Sequence, residues 1–391
     1  MSASPPTPWC VASSDCASSA HDCPRRRDGR ASLAGVNSVD CVKVLVAMSG
    51  GVDSSVAAAE LRREGHEVVG VTMRLWGGES DTGCCSVSDV DDARRVAQQL
   101  RIDHLVFNFS EDFNAAVVDP YVDAHRAGVT PNPCIECNRH LKFDRLSRRA
   151  RLLGFDAVAT GHHARIERQP SGVWRVVRGA DSAKDQSYVV HMLDQRELAY
   201  TLFPVGHLTK AQVRERAKEL GLRTAAKPDS QDVCFISKTG GRETFLGHRI
   251  PFRSARVVDE TGNELGSVDS VEMVTIGQRR GLRLPGGSPK QFVLEVDVDA
   301  RTVVVGDEAR LAREEIAARQ VTWSHEPLAV GSEVMVQTSA HGQARAAVLE
   351  EVGDATFVAR YREAQRRTAP GQSVVLYDAD DRCVVAGGIA R

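Results

Sequence analysis

The stretch from Lys43 to Ser55, KVLVAMSGGVDSS, restricts the fold of this chain more than any other. An apolar run, Val44 to Ala47, ends at Met48 and gives way to Ser49-Gly50-Gly51-Val52-Asp53-Ser54-Ser55, with a periodic segment from Val56 to Arg63 behind it. That is the pattern of a buried strand, a tight glycine turn and a helix start. Two adjacent glycines allow backbone conformations closed to other residues, so several N–H groups can converge on one point. Together with the positive end of a helix, such groups form an anion site. Ser49, Ser54 and Ser55 add hydroxyl donors, and Asp53 could orient a Mg²⁺ or cap the helix. The plain alternative is a serine-capped turn that binds nothing. Agreement of the strand, turn and helix signals favours phosphate. The lysine of a GxxxxGK[ST] pattern is absent, so this is not a Walker A loop.

With 391 residues the chain should hold two or three domains. Its 50 basic and 52 acidic residues nearly cancel, so any affinity for nucleic acid must come from local patches. No apolar run approaches the ~18–20 residues that span a bilayer. Of the ten cysteines, Cys10, Cys16, Cys23 and Cys41 precede the first strand, Cys84 and Cys85 are adjacent, and Cys134 and Cys137 form a CxxC. Cys234 and Cys383 stand alone. In a large chain with alternating strands and helices this distribution favours reduced thiols over a disulfide framework.

Residues 1–41 are rich in Ser, Ala, Pro, Cys and Arg without a sustained period, and read as a disordered or mis-called N-terminal extension. From 42 to 247 strands alternate with helices, which implies βαβ units and a parallel sheet. Ligands of such sheets bind beyond the carboxyl ends of the strands, where Ser49–Ser54, Met73 and Gly161-His162-His163 fall. Residues 210–220 form an amphipathic helix with Thr209 as N-cap and Gly221 as stop. After Gly247 short β-rich runs recur between turn residues. They predict a small central β domain, 248–308, and a C-terminal β-barrel domain, 309–391, with 310–318 as a helical or linker segment.

Three groups carry chemistry. The loop Thr130-Pro131-Asn132-Pro133-Cys134-Ile135-Glu136-Cys137-Asn138 places Cys137 just before an expected helix, a position that lowers a thiol pKa. A structural zinc site would need four ligands and only one pair is evident. An inert buried pair is the other plain reading; a reactive cysteine is favoured. In Lys227-Pro228-Asp229-Ser230-Gln231-Asp232-Val233-Cys234-Phe235 a second thiol lies among turn formers, and sulfur carried as a persulfide needs a second thiol for its release. Finally, Arg139, His140, Lys142, Arg145, Arg148, Arg149 and Arg151 crowd one helix, with Arg279, Arg280, Arg362, Arg366 and Arg367 further on. Such a run is usually a solvated face, but beside a reactive cysteine it could hold phosphates.

SGGVDS resembles the signature of the PP-loop ATP pyrophosphatase superfamily, whose members adenylylate a substrate. With GVTPNPCIECN, ATGHHA, KDQSYVV, KPDSQDVCFI, TIGQRRGL and PGQSVVLY in this order, residues 42 onward resemble the tRNA-specific 2-thiouridylase (MnmA/TrmU) family. The resemblance implies an ATP- and Mg²⁺-using tRNA-uridine 2-sulfurtransferase that thiolates the wobble uridine, position 34. It further implies an α/β PP-loop domain followed by two small β-rich domains. Cys137 matches the nucleophile and Cys234 the persulfide carrier. Ala47, Met48, Ser49, Gly50, Gly51, Val52, Asp53, Ser54, Met73 and Gly161 match ATP-contacting positions. Asn132, Pro133 and Cys134 match the segment facing the target base. His162, Lys184, Asp185, Gln186 and Gln372 match tRNA contacts, as do Ala340 and His341, where the family's basic, aromatic pair is not kept. Some members have Asp where this chain has Cys134, and an acid–base role is not carried over to the thiol. The expected partners are tRNA and a persulfide donor, a cysteine desulfurase or relay protein. The chain is expected to act as a monomer in the cytoplasm. Two other readings stay open: an iron–sulfur cluster held by Cys134, Cys137 and Cys234, and a PP-loop ligase acting on a small metabolite.

Overall fold

The computed structural model describes residues 41–75, 87–229, 233–237, 241–284 and 289–391. The Cys84-Cys85 loop and all but the last residue of the N-terminal extension lie outside these. The first sheet holds β1 Lys43–Ala47, β2 Glu67–Arg74, β3 Asp103–Asn108 and β4 Ala157–Ala159. After an antiparallel hairpin, β5 Ala164–Arg168 and β6 Trp174–Arg178, β7 Thr201–Leu202 completes it. The strands are parallel and ordered β3-β2-β1-β4-β7. The order reverses between β1 and β4, which opens a crevice beyond their carboxyl ends.

Both faces of β1 are covered, so Val44, Leu45 and Val46 are wholly buried. Val44 and Val46 pack with α1 Val52–Arg63, α2 Val87–Leu100 and a later helix, Lys210–Glu219. Leu45 turns the other way, onto α3 (110–126) and α4 (133–152). These two helices each contain a π-helical stretch, Asn114–Val118 and Cys137–Arg145, and the stretches pack together. The helix Lys210–Glu219, α5, begins in a capping box between Thr209 and Gln212 and stops before Gly221 at φ +62°, as its sequence predicts.

The central module is a sheet ordered β10-β11-β8-β9, from β8 Ala255–Val258, β9 Glu264–Val268, β10 Phe292–Asp297 and β11 Thr302–Gly306. The C-terminal module is a closed six-stranded barrel of β12 Ala312–Trp323, β13 Glu333–Gln337, β14 Arg345–Gly353, β15 Thr356–Arg366, β16 Ser373–Tyr377 and β17 Val384–Ala390. Three local expectations change. Residues 312–318 belong to a long barrel strand, not a helix, because Ile316 and Ala318 point into the barrel core and the backbone pairs with β15. Val271–Ile276 reads from the sequence as one of the β-rich runs, but Val271–Met273 is a 3₁₀ turn whose buried Val271 and Val274 lie three apart, the spacing of that turn. Strand β17, split by Gly387-Gly388, was not expected. A Cβ at Gly387 would come 2.2 Å from His191 Nδ1, and one at Gly388 2.7 Å from the Arg319 carbonyl oxygen, so these glycines mark close packing.

The loop before α4 joins all three modules. Thr130 N–H donates to the Pro370 carbonyl at 3.3 Å, the Gln372 side-chain amide donates to the Thr130 carbonyl, and Thr130 Oγ1 lies 3.2 Å from Thr275 Oγ1. Ile135 and Phe143 of α4 share a buried cluster with Tyr188 and with Val375, Tyr377 and Val384 of the barrel. Arg178 stacks on Tyr377, 3.7 Å from its ring centre, and donates to Asp185, Gln337 and Asp381.

Candidate active site

The glycine turn follows β1 without slack. Met48 N–H donates to the Val71 carbonyl at 2.8 Å and its side chain is buried. Gly50 has φ +70°, and a Cβ there would fall 2.4 Å from the Asp89 carbonyl oxygen, so no other residue fits. Gly51 is the N-cap of α1 and supplies no side-chain cap. The serines close the turn: Ser54 Oγ accepts from Ser49 N–H at 3.2 Å, while Ser55 Oγ donates to the Gly51 carbonyl at 2.7 Å. Gly161, at the end of β4, lies so near the start of α1 that a Cβ would come 2.6 Å from Ser54 N. Ala47 to Ser54 and Gly161 therefore converge on the crevice. Met73 has its side chain buried in the core below Leu45, leaving only its strand-end backbone near the crevice.

Asp53 on the first turn of α1 is held from two sides. His163 Nε2 lies 3.0 Å from Oδ1, and Lys210 Nζ donates to both oxygens at 2.7 Å. Burial opposes its ionisation, but the hydrogen bonds from His163 and Lys210 outweigh it and hold the carboxyl below its usual range. Lys210 also reaches Asp229 at 3.0 Å, where Lys184 at 2.9 Å and Arg214 at 2.5 Å converge. Burial works against the Asp229 charge too, yet its bonds from Lys184 and Lys210 depress its pKa strongly. Next to it Lys227 bridges Asp89 and Asp92, each at 2.8 Å. The turn at 50–53 and the segment leading to Cys234 are thus joined by ion pairs. The sequence places His163 at a ligand-binding strand end without giving it a role, and on sequence Lys210 is an ordinary solvent-face lysine of an amphipathic helix.

The thiol turn differs from its expected form. The helix starts at Pro133, not Arg139, with Asn132 as N-cap accepting from Cys134 N–H at 3.1 Å. The Asn-Pro pair, an N-cap followed by proline at the first helical position, carried that signal. Cys137 consequently lies a turn inside the helix, half-buried, at the first residue of the π-helical stretch. Burial pushes its thiol up to about 11, Lys142 pulls it down and Cys134 adds to the rise. The fold therefore raises this thiol where its place before a helix was expected to lower it. Asn138 anchors the turn by donating to the Val189 carbonyl at 2.7 Å.

Cys137 borders the same apolar cluster as Val233, Phe235 and Ile236. Phe235 meets Phe113, Tyr121 and Phe245 edge-on, with ring centres 5.5, 5.9 and 5.1 Å away. Cys234 begins the short helix Cys234–Ser237, so the fold brings its backbone to the cluster that Cys137 flanks; its side chain lies outside what is described. Cys134 and Cys137 carry reduced thiols, whereas Cys41 is disulfide-bonded, against the expectation for the N-terminal cysteines.

The residues expected to touch tRNA are placed as follows. His162 is buried, with Nδ1 2.6 Å from Thr160 Oγ1 and its ring beside Phe143 and Phe203; burial keeps it neutral. Lys184 pairs with Asp229. Asp185 accepts from Arg178, Gly179 N–H and Ser187, and Gln186 Oε1 accepts from His163 N–H at 2.9 Å. Gln372 binds the Thr130 carbonyl. Ala340 is held through its carbonyl by Gln337, and His341 is exposed. Much of the basic helix is engaged within the protein: Arg145 with Asp112 at 3.0 Å, Arg148 with Asp144 at 2.5 Å, and Arg151 over the Tyr200 ring at 4.0 Å. Arg366 and Arg367 clamp the barrel to the carbonyls of Gly277 and Leu294 in the central module. No group of three or more His, Cys, Asp or Glu among the described residues is arranged to hold a metal. The Cys234 side chain, the third ligand of the iron–sulfur reading, lies outside the described residues.

A parallel sheet with a glycine–serine turn at its switch point, followed by two β modules, is the architecture that the resemblance to PP-loop enzymes implies. Family models match along the chain in the same order. They are the tRNA methyl transferase HUP domain at 42–238, the tRNA methyl transferase PRC-barrel domain at 243–307 and the aminomethyltransferase beta-barrel domain at 313–389. A tRNA-specific 2-thiouridylase MnmA of Herpetosiphon aurantiacus is 44% identical over 354 residues, covering 89% of this chain and 98% of that protein. Those of Mycobacterium avium, at 46% with 87% and 95% covered, and Clostridioides difficile, at 41% with 89% and 97%, are similar. The chain belongs to the tRNA-specific 2-thiouridylase MnmA family.

Proposed function

We propose that this protein replaces the C2 oxygen of the wobble uridine, position 34, of tRNA by sulfur at the expense of ATP. One observation carries the reading: the anion turn and the segment bearing Cys234 are tied by the Asp53–Lys210–Asp229 ion pairs, while Cys137 flanks the cluster that seats Phe235 and Ile236. A metabolite ligase would use the first feature and leave the second idle.

A uridine C2 carbonyl is a poor electrophile because oxide is a poor leaving group. Transfer of AMP to that oxygen supplies a good one. The N–H groups of 49–54 and the uncapped start of α1 receive the pyrophosphate. A Mg²⁺ held by a carboxylate here would stabilise charge on the departing pyrophosphate. Asp53 is the carboxylate placed to hold it once Lys210 turns to phosphate. The target base must leave its stack to reach the crevice, where Asn132, Pro133 and Cys134 face it.

A persulfide donor protein, a cysteine desulfurase or relay protein, loads Cys234. Cys137 then attacks the persulfide sulfur nearer to Cys234. Hydrosulfide is released to attack C2, AMP leaves with the oxygen, and a Cys137–Cys234 disulfide remains. The domain division 42–247, 248–308 and 309–391 then assigns chemistry to the first unit and tRNA contact to its junction with the barrel. Among the described residues no helix is long and apolar enough to cross a membrane. The test is mass spectrometry of tRNA nucleosides after incubation with ATP, Mg²⁺ and a persulfide donor. 2-Thiouridine is the expected product; its absence with an active donor overturns the reading.

A further inference from the structure

Cys134 and Cys137 share one tight turn. The Cys137 N–H donates to the Cys134 carbonyl as well as to that of Pro133. An i→i+3 bond draws the turn toward 3₁₀ geometry, in which residues three apart lie one above the other. Both are half-buried, and neither is in a disulfide. The two sulfur groups also influence each other, since Cys134 is among the causes that raise the Cys137 thiol after burial. Residues three apart on a helical turn fall in the roughly 4.4–6.8 Å Cα range that a disulfide bridges. A CxxC at a helix start is a form in which thiols and disulfides exchange.

The reaction above leaves Cys234 locked to Cys137 after every turnover, unable to accept another sulfur. Resting on that reading, we propose that Cys134 is the resolving thiol. As a thiolate it attacks the Cys137 sulfur. The Cys137–Cys234 bond breaks, a Cys134–Cys137 bond forms, and the electron pair leaves on the Cys234 sulfur, which takes up the proton that Cys134 lost. One disulfide replaces another, so this step needs no oxidant or reductant. Cys234 is at once ready for the next persulfide. An external dithiol later reduces the Cys134–Cys137 bond, which lies on the half-exposed helix start.

The test uses the full-length protein with persulfide donor, tRNA and ATP-Mg²⁺, without reductant, quenched with an alkylating agent after one turnover. Trypsin leaves Cys134 and Cys137 together in AGVTPNPCIECNR and Cys234 in a separate peptide. The expected result is the CxxC peptide unalkylated and two hydrogens lighter than its reduced form, with Cys234 alkylated. Cys134→Ser should instead accumulate a cross-link between the two peptides. A Cys137–Cys234 cross-link that persists in the wild type overturns the proposal. So does a CxxC disulfide that forms equally when ATP is omitted. If 2-thiouridine forms but neither protein shows any disulfide, the two-cysteine mechanism fails as well. Failure of the proposal and failure of the function are thereby told apart.

Discussion

The nucleotide turn and the thiol turn are both helix starts placed at the same crevice, and they are built in opposite ways. Helix α1 begins at Gly51 without a side-chain cap, so its first N–H groups remain for a ligand. Helix α4 begins at Asn132, whose side chain caps Cys134 N–H, with Pro133 contributing no donor at all. The first turn is a receptor made of backbone. The second closes its own backbone and exposes side chains, so its chemistry lies in its sulfur atoms. They also differ in support. The nucleotide turn is shaped by neighbours within its own module, whereas the thiol turn rests on Thr275 of the central module and Gln372 of the barrel through Thr130.

If this contrast is right, the largest effect should come from the sulfur atoms. Cys137→Ser and Cys234→Ser should each cut thiolation by ~10³-fold or more while ATP still binds. Full activity of Cys234→Ser with a persulfide donor would break the two-thiol scheme. Asp53→Ala should lower pyrophosphate release about 10²-fold, the scale of losing one electrostatic contact to developing charge. Gly161→Ala drives a methyl against Ser54 N and should cost about 1–3 kcal/mol in urea unfolding, with weaker nucleotide binding. An unchanged midpoint would mean that the turn is less closely packed than described.

Protonation gives a further test, spread across the molecule. Burial lowers His125 to about 4 and His191 to about 3, and puts His162 well below its ordinary range. These histidines fold neutral, whereas in the unfolded chain they take up protons near pH ~6.5. The unfolded state then binds more protons as pH falls, so this stability is complete above about pH 6.5 and is lost progressively toward about pH 4. Glu197, pushed up to about 7 by burial, acts in the opposite sense between about pH 7 and 4.5. It is one group against three. Thermal unfolding should therefore show a lower Tm at about pH 5 than at pH 7.5; an equal Tm would refute the assignment. The smallest effect is expected from Gln372→Ala, about 1 kcal/mol for one lost hydrogen bond to the Thr130 carbonyl. It should lower tRNA affinity more than ATP affinity if the barrel supports the thiol turn.

Legibility in the sequence followed how local the cause was. Lys43–Ser55 could be read because strand burial, glycine geometry and helix start are set within a dozen residues. The cap of α5 was read for the same reason. The helix start at Pro133 is signalled by Asn-Pro, although the basic run from Arg139 suggests a start six residues later. Residues 312–318, charged and without β-branched runs apart from Ile316, look helical until β15 pairs with them. Gly387 and Gly388 look like a break in a strand until His191 and Arg319 are seen pressing on them.

By itself the sequence determined that this chain has a glycine turn between a buried strand and a helix and carries thiols at two other places. Its ordered motifs named the family. Tertiary structure decided the rest of the site. Only folding puts Lys210 between Asp53 and Asp229, residues 157 and 19 positions away along the chain. Only folding pushes the Cys137 thiol up to about 11, through burial. Charge pairing and desolvation depend on what lies across space, and spacing along the chain does not record it.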